Sequence, residues 1–229
     1  MIERANTGSG VVLLSGGLDS LAVLALSCAG GGPTAALHVR YGQKAESREL
    51  SAAQAQARHY GVELEIVDAR FLQQWCGGGL FDGDLPLDGK LEGAEAANSA
   101  SAVWVPGRNG LFVAIAASFA EARGMGTVLF GCNTEEASTF PDNSVGFVDS
   151  CREFLGYATG GRVTLEAPLQ NMDKREIVET CVRLGAPLPL VWSCYSSGPV
   201  HCGRCESCLR LKRALSSAAD RADGPTFLR

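Results

Sequence analysis

A short aliphatic run, Val11-Val12-Leu13-Leu14, stops at once on Ser15-Gly16-Gly17-Leu18-Asp19-Ser20. That junction limits the fold more than any other stretch. Apolar positions in a row, with no polar alternation, predict a strand buried on both faces, as in a parallel sheet. Two glycines permit a tight reversal. Leu, Ala and Val then recur at helical spacing over 18–29 until Gly30-Gly31-Gly32-Pro33 ends the helix. In such a strand–turn–helix unit the turn amides and the helix N-terminus face one concavity, and Ser15 and Ser20 add hydroxyl donors. The site suits a phosphate or pyrophosphate. The glycines lack a following lysine, which excludes a Walker-type loop. Asp19 would repel phosphate unless a divalent cation bridges them, so Mg²⁺ is expected beside it.

The alternation continues with a strand at 35–39, a helix at 45–60 stopping at Gly61, and a strand at 62–67. This β-α-β-α-β order predicts an α/β protein with a doubly wound, mostly parallel sheet. Residues 76–98 have no period and read as a long loop of the lid or binding type, within an insertion of about 76–104. Beyond it we expect a helix at 109–123 with Asn109 as N-cap, a strand at 127–131 and an irregular stretch at 133–143. A helix at 145–157 and a strand at 163–166 follow. Asp173 and Glu176 form a capping box for the next helix, which ends at Leu184-Gly185. A helix over about 206–223 closes the chain. Residues 1–190 read as one nucleotide-binding α/β domain, and 191–229 as a metal-binding segment with a helix.

The chain has nine cysteines, an odd count at uneven spacings, with no signal peptide, membrane span or lipid anchor motif. That is a poor disulfide framework and points to a cytoplasmic protein whose thiols stay reduced. Lys and Arg number 20 against 25 Asp and Glu, a net charge of −5, which argues against a broad nucleic-acid face. Four of the cysteines, Cys194, Cys202, Cys205 and Cys208, combine two overlapping C-x-x-C steps with one upstream thiol. Four soft ligands so close predict a closed, structural zinc site, with an iron–sulfur cluster as the competing reading. His201 reads as a bystander. Cys28 and Cys181 fall in helical segments and read as small core residues, whereas Cys132 lies in a candidate substrate loop.

Three further places carry candidate chemistry. Arg108, in Val105-Pro106-Gly107-Arg108-Asn109, is placed to offer a bidentate fork to an anion. Tyr41-Gly42-Gln43-Lys44 follows the second strand at its carboxyl end, where doubly wound sheets bind ligands, so Lys44 reads as a phosphate ligand or a plain surface lysine. Lys174 opens a helix, within reach of a phosphate, although capping alone explains its neighbours.

SGGLDS at 15–20, YGQ at 41–43, VPGRN at 105–109 with LF beyond it, APL at 167–169 with DK at 173–174, and WSCY and CGRCESC within 192–208 form one combination. On it, the chain resembles the PP-loop ATP pyrophosphatase superfamily, and within that the 7-cyano-7-deazaguanine synthase (QueC) family, over about 11–211. The resemblance implies an adenine nucleotide alpha hydrolase-like fold. It implies a ligase in which ATP adenylates the carboxylate of 7-carboxy-7-deazaguanine and pyrophosphate leaves into the 15–20 loop. Ammonia displaces AMP, and a second ATP drives dehydration of the amide to 7-cyano-7-deazaguanine, a queuosine precursor. It assigns ATP to Ser15, Gly16, Gly17, Leu18, Asp19, Ser20, Tyr41, Gln43, Lys44 and Arg108, with adenine near 39–43. Catalysis falls to Asp19, Arg108 and Lys174, and substrate to Asn133, Glu136, Ser138, Phe140, Pro141 and Asp142. Structural Zn²⁺ on the four cysteines, Mg²⁺ with ATP and a homodimer complete the expectation, with no membrane or nucleic-acid partner.

The chain departs from the family pattern at several places. Arg40 stands for an Asp, Glu136 for an Asp, Thr139-Phe140 for Gly-Tyr, and Asn143-Ser144 for Cys-Arg. A site built to hydrogen-bond one substrate discriminates strongly, so these changes raise a second reading: a paralogue that stops at the amide, or transfers the activated base to an amine of a partner protein. A tRNA sulfurtransferase would need a paired catalytic cysteine and a basic face, and a non-catalytic binding module would not need an intact SGGLDS.

Overall fold

The structure is a computed structural model that describes residues 9–32, 35–88, 93–216 and 223–228. Pro33, the part of the expected loop at 89–92, the expected helix beyond 216 and the polar N-terminus at 1–8 lie outside the described residues. In chain order the elements are β1 (Gly10–Leu13), α1 (Leu18–Ala29), β2 (Ala35–Arg40), α2 (Glu46–Tyr60), β3 (Glu63–Asp68), α3 (Phe71–Trp75) and α4 (Gly93–Ala102). They continue with α5 (Arg108–Ala122), β4 (Thr127–Leu129), α6 (Thr134–Ala137), α7 (Val145–Ala158), β5 (Thr164–Glu166), α8 (Lys174–Arg183) and α9 (Glu206–Ser216).

The strands form one parallel sheet in the order β3-β2-β1-β4-β5. Central β1 is buried along its whole length, and its side chains serve both faces. Val11 and Leu13 join a core with Val113, Ala117 and Ala120 of α5 and Val148 and Leu155 of α7. Val12 and Leu14 point the other way, among Leu21 and Leu24 of α1, Ala53 of α2, and Ile177 and Cys181 of α8. The continuous apolar run thus has its physical cause in helices on both sides. Small residues on α5 let it lie close on the sheet. Since β2 and β3 lie to one side of β1, and β4 and β5 to the other, the order reverses between β1 and β4. A crevice opens there at the carboxyl ends of the strands.

Element boundaries fall within a few residues of expectation, with two corrections. The aperiodic middle is not all loop, because α4 occupies its second half. Its sequence, GAEAANSASA, is rich in small residues of good or tolerable helix propensity but carries no apolar stripe, so periodicity could not reveal it. Asn109 is not an N-cap either, since α5 already begins at Arg108, behind Gly107 with φ +69°. The capping box on α8 is present in both directions: Asp173 Oδ1 accepts from the Glu176 amide at 2.8 Å, and Glu176 Oε2 from the Asp173 amide at 2.9 Å. Among the described residues no helix is long and apolar enough to cross a membrane.

The Asp173→Ala substitution removes half of that box. We expect a loss of about 1 kcal/mol, or about 2–4 °C in Tm, measured by thermal denaturation.

Candidate active site

A cavity of about 250 Å³ fills the crevice between the ends of β1 and β4. Its floor is the turn after β1. Gly16 has φ +92°, and a Cβ there would sit 2.6 Å from the Glu49 carbonyl oxygen, so glycine is required on both counts. Its carbonyl accepts from Gln56 Nε2 at 2.8 Å and from the Trp192 amide at 2.9 Å. These bonds hold the turn from behind. Gly17 caps α1 without a side-chain hydrogen bond to the helix, leaving the first amides of the helix without side-chain caps. The Ser15 and Ser20 hydroxyls lie 3.1 Å apart at the same end. This is an anion cradle.

Beside it lies a buried charge cluster. Lys174, 7% exposed, places Nζ 2.5 Å from Asp19 Oδ2 and 2.6 Å from Glu136 Oε1. Asn133 caps α6 by accepting from the Glu136 amide at 3.0 Å and donates to Asp19 Oδ2 at 3.3 Å. Burial raises Asp19 above the usual carboxylate range despite the opposing pull of the Lys174 ammonium. For Glu136 burial pushes the same way, yet the ammonium wins and holds it below its usual value. Lys174 is raised, because its two carboxylates outweigh the cost of burial. One ammonium between two carboxylates leaves a surplus negative charge, and Asp19 Oδ1 is buried with no hydrogen-bond partner. That orphaned oxygen beside an anion cradle fits a hard divalent cation such as Mg²⁺ carried by a phosphate chain.

The facing wall comes from β2 and α5. Arg108 donates from Nη1 to the Tyr41 hydroxyl at 3.3 Å, with its guanidinium carbon 5.5 Å from the Tyr41 ring centre. Its Nε donates to Asn109 Oδ1 at 3.2 Å, and among the described residues no carboxylate lies within ion-pair distance of it, which leaves its remaining N–H groups to a ligand. Burial pushes the Tyr41 hydroxyl up to about 12 and Glu49 up to about 7. Asn109, 6% exposed, donates from Nδ2 to the Asp142 carbonyl at 3.2 Å and accepts at Oδ1 from Arg108 Nε at 3.2 Å, so both ends of its side chain are engaged. Trp104 and Phe140 stand with parallel planes, centres 6.3 Å apart.

Of the residues singled out from sequence, Ser15, Gly17, Leu18, Asp19, Ser20, Tyr41, Arg108, Glu136, Phe140, Asp142 and Lys174 line the cavity. Gly16, Gln43, Lys44, Asn133, Ser138 and Pro141 do not. Gln43 is buried and donates to Glu49 Oε2 at 2.5 Å. Lys44 turns away to the carbonyls of Gly79, at 3.1 Å, and Gly83, tying down the 76–88 stretch. Ser138 bonds to the Glu135 carbonyl at 2.6 Å. Cys132 is fully buried in the core, where burial pushes its thiol up to about 12, and it does not reach the cavity. Arg40 pairs with Glu46 at 2.6 Å, so that departure is absorbed locally, whereas Asn143 faces the cavity.

The sequence reading missed His38, Glu49, Trp104, Ser193, Tyr195 and Ser207, all of which line the cavity. His38 had a signal, being a polar residue inside an otherwise apolar run over 35–39. It is 1% exposed, its Nδ1 meets the Leu14 carbonyl at 2.9 Å, and burial lowers its pKa. Ser193 and Tyr195 flank Cys194 within the WSCY motif, where only the cysteine carries an assigned role.

The sulfurs of Cys194, Cys202, Cys205 and Cys208 all lie within 4.8 Å of one another. Cys202 and Cys208 Sγ are 3.9 Å apart, near the about 3.8 Å edge of a tetrahedron with 2.3 Å metal–sulfur bonds. The amide of Cys202 points at Cys194 Sγ at 3.4 Å and that of Cys205 at Cys202 Sγ at 3.3 Å, contacts that favour thiolates. The cluster can hold a metal ion. His201 is not a ligand: its Nε2 accepts from the Ser193 amide at 3.1 Å.

Elemental analysis checks this cluster. We expect one metal ion per chain, lost in Cys208→Ala and retained in Cys181→Ala, whose thiol lies on the buried face of α8.

Comparison with known proteins identifies the family. The model of the queuosine biosynthesis protein QueC family matches residues 9–219. The 7-cyano-7-deazaguanine synthase of Pelotomaculum thermopropionicum is 44% identical over 213 residues, covering 91% of this chain and 96% of that protein. The synthase of Methanothermobacter thermautotrophicus is 41% identical, covering 96% of this chain and 98% of its own. Among solved structures, the NMN synthetase of Francisella tularensis superposes with a TM-score of 0.49 at 15% identity, over 97% of this chain and 91% of that one. With a family match running from β1 through the four cysteines, and relatives aligned over nearly their whole length, this chain belongs to the QueC family.

Proposed function

We propose that the protein converts 7-carboxy-7-deazaguanine to 7-cyano-7-deazaguanine at the expense of ATP, through an acyl adenylate and an amide. The observation that carries this is the uncapped N-terminus of α1, with its serine hydroxyls, set directly against the buried Asp19–Lys174–Glu136 cluster. The first part receives pyrophosphate through backbone donors that need no reorganisation. The second places an ammonium beside the α-phosphate, where negative charge builds up as the substrate carboxylate attacks. Mg²⁺ at Asp19 Oδ1 would neutralise the phosphate chain. Arg108, without a carboxylate partner among the described residues, aligns the anionic end of ATP or of the substrate. Trp104 and Phe140 offer flat faces to the deazaguanine, and Asn143 and Asp142 offer polar groups to its edge. No residue here acts as a covalent nucleophile in this reading; rate comes from position and charge. The four thiolates suit structural zinc, because a closed set of four leaves no position for substrate.

Mass spectrometry of products from ATP, Mg²⁺, ammonia and 7-carboxy-7-deazaguanine tests the reading. The nitrile is expected. Untouched acid overturns the proposal, amide alone identifies a truncated reaction, and a mass gain on an added protein identifies transfer to a partner amine. Lys174→Met should lower kcat/KM by about 100-fold or more, as loss of a preorganised charge does.

The pH profile follows from Asp19. Its pKa lies above the ordinary value, so the anion that holds the cation is lost earlier on acidification. Activity should begin to fall well above pH about 4, the ordinary carboxylate midpoint.

A further inference from the structure

Next to the main cavity is an annex of about 20 Å³, room for one water-sized molecule. It shares Glu136, Lys174, Ser193, Tyr195 and Ser207 with the main cavity and adds Glu206 and Arg210 from α9. Glu206 is 6% exposed, and its Oε1 takes two hydrogen bonds from Arg210, at 3.0 and 2.8 Å. Its other oxygen, Oε2, is buried with no hydrogen-bond partner among the described residues. An unpaired buried carboxylate oxygen is costly and calls for a donor. The annex therefore joins three properties: the volume of one heavy atom with hydrogens, a wall of acceptors, and a mouth on the charge cluster.

We propose that the annex binds the ammonia that displaces AMP. The inference rests on the reaction proposed above and adds to it the place of the nucleophile. Glu206, Glu136 and the Ser193 and Ser207 hydroxyls accept N–H bonds. Glu136 and Glu206 balance Lys174 and Arg210 across the annex, so the pocket itself does not select a charge state; ammonium gives one proton to bulk water before its nitrogen attacks, and the reacting species is neutral NH₃. The nitrogen lone pair forms the C–N bond. The bond from the acyl carbon to the AMP oxygen breaks and its electron pair leaves on AMP, while the extra N–H proton goes to water. A volume this small excludes amines that carry carbon.

Initial rates against ammonium, with ATP and the carboxylate saturating, provide the test. Glu206→Gln should raise the KM for ammonium by about tenfold or more, as loss of a charged acceptor does, with the KM for ATP moving less than about twofold. The unmodified protein should form no N-methylamide from methylamine at free-base concentrations where ammonia reacts, an outcome independent of whether the variant folds. An unchanged ammonium KM, or comparable use of methylamine, overturns the annex. Acid-dependent ATP–pyrophosphate exchange in the unmodified protein separates the two levels: without exchange the reaction itself is wrong, and with exchange a negative result condemns the annex alone.

Discussion

The site is organised around one buried ammonium. Lys174 occupies the first position of α8, at the positive end of a helix dipole, an electrostatically poor place for a lysine. Its position depends on Asp19 at 2.5 Å and Glu136 at 2.6 Å. Those carboxylates come from the first turn of α1 and from α6 beyond β4, the two segments that follow the strands at the switch in sheet order. The three-residue cluster thus closes the base of the crevice and leaves it one negative charge in surplus. Removing the ammonium would strand two buried carboxylates, at a cost of about 3–5 kcal/mol. The same imbalance makes the site receptive to a cation and its phosphate, so stability and chemistry draw on one arrangement.

The four-cysteine segment acts on this centre through the backbone. The Trp192 amide holds the Gly16 carbonyl at 2.9 Å, so the wall that carries Ser193 and Tyr195 is fixed to the anion cradle itself. On the far side Glu135 accepts from the Lys174 amide at 3.1 Å and from Arg210 and Arg213 at 3.3 and 2.5 Å. These contacts clamp α9 against the start of α8. Leu87 bridges to Cys205, Asp88 pairs with Arg204, and Lys44 grips the same stretch from the opposite end. A metal ion on the thiolates would therefore hold two walls of the cavity in register as well as the C-terminal helix.

Much of this was legible in the sequence, because its causes are local. The buried strand, the glycine turn, the capping box and the cysteine spacing each declare themselves within a few residues. Contacts that depend on distant partners were not legible. Lys44 looked like a phosphate ligand, since nothing near it reveals that Gly79 and Gly83 offer it carbonyls. Asn109 stands where a cap would before an apolar helix, but the helix starts one residue earlier, behind Gly107, and the Asn109 side chain ties Arg108 to the distant Asp142 carbonyl. Helix α4 escaped notice because alanine and serine form helices without drawing an apolar stripe. His38 and Glu49 became cavity residues through the packing of β2 and α2 beside the turn, and a single polar residue in an apolar run is too faint a signal to assign a role.

The central claim is that this crevice activates a carboxylate by transferring AMP to it. A substrate labelled with heavy oxygen in its carboxylate tests that claim directly. If the carboxylate attacks the α-phosphate and AMP is later displaced, one labelled oxygen must appear in the AMP released. Labelled AMP formed in step with consumption of the acid is the result predicted here. Release of ADP and phosphate, or of AMP that carries no label, would contradict it.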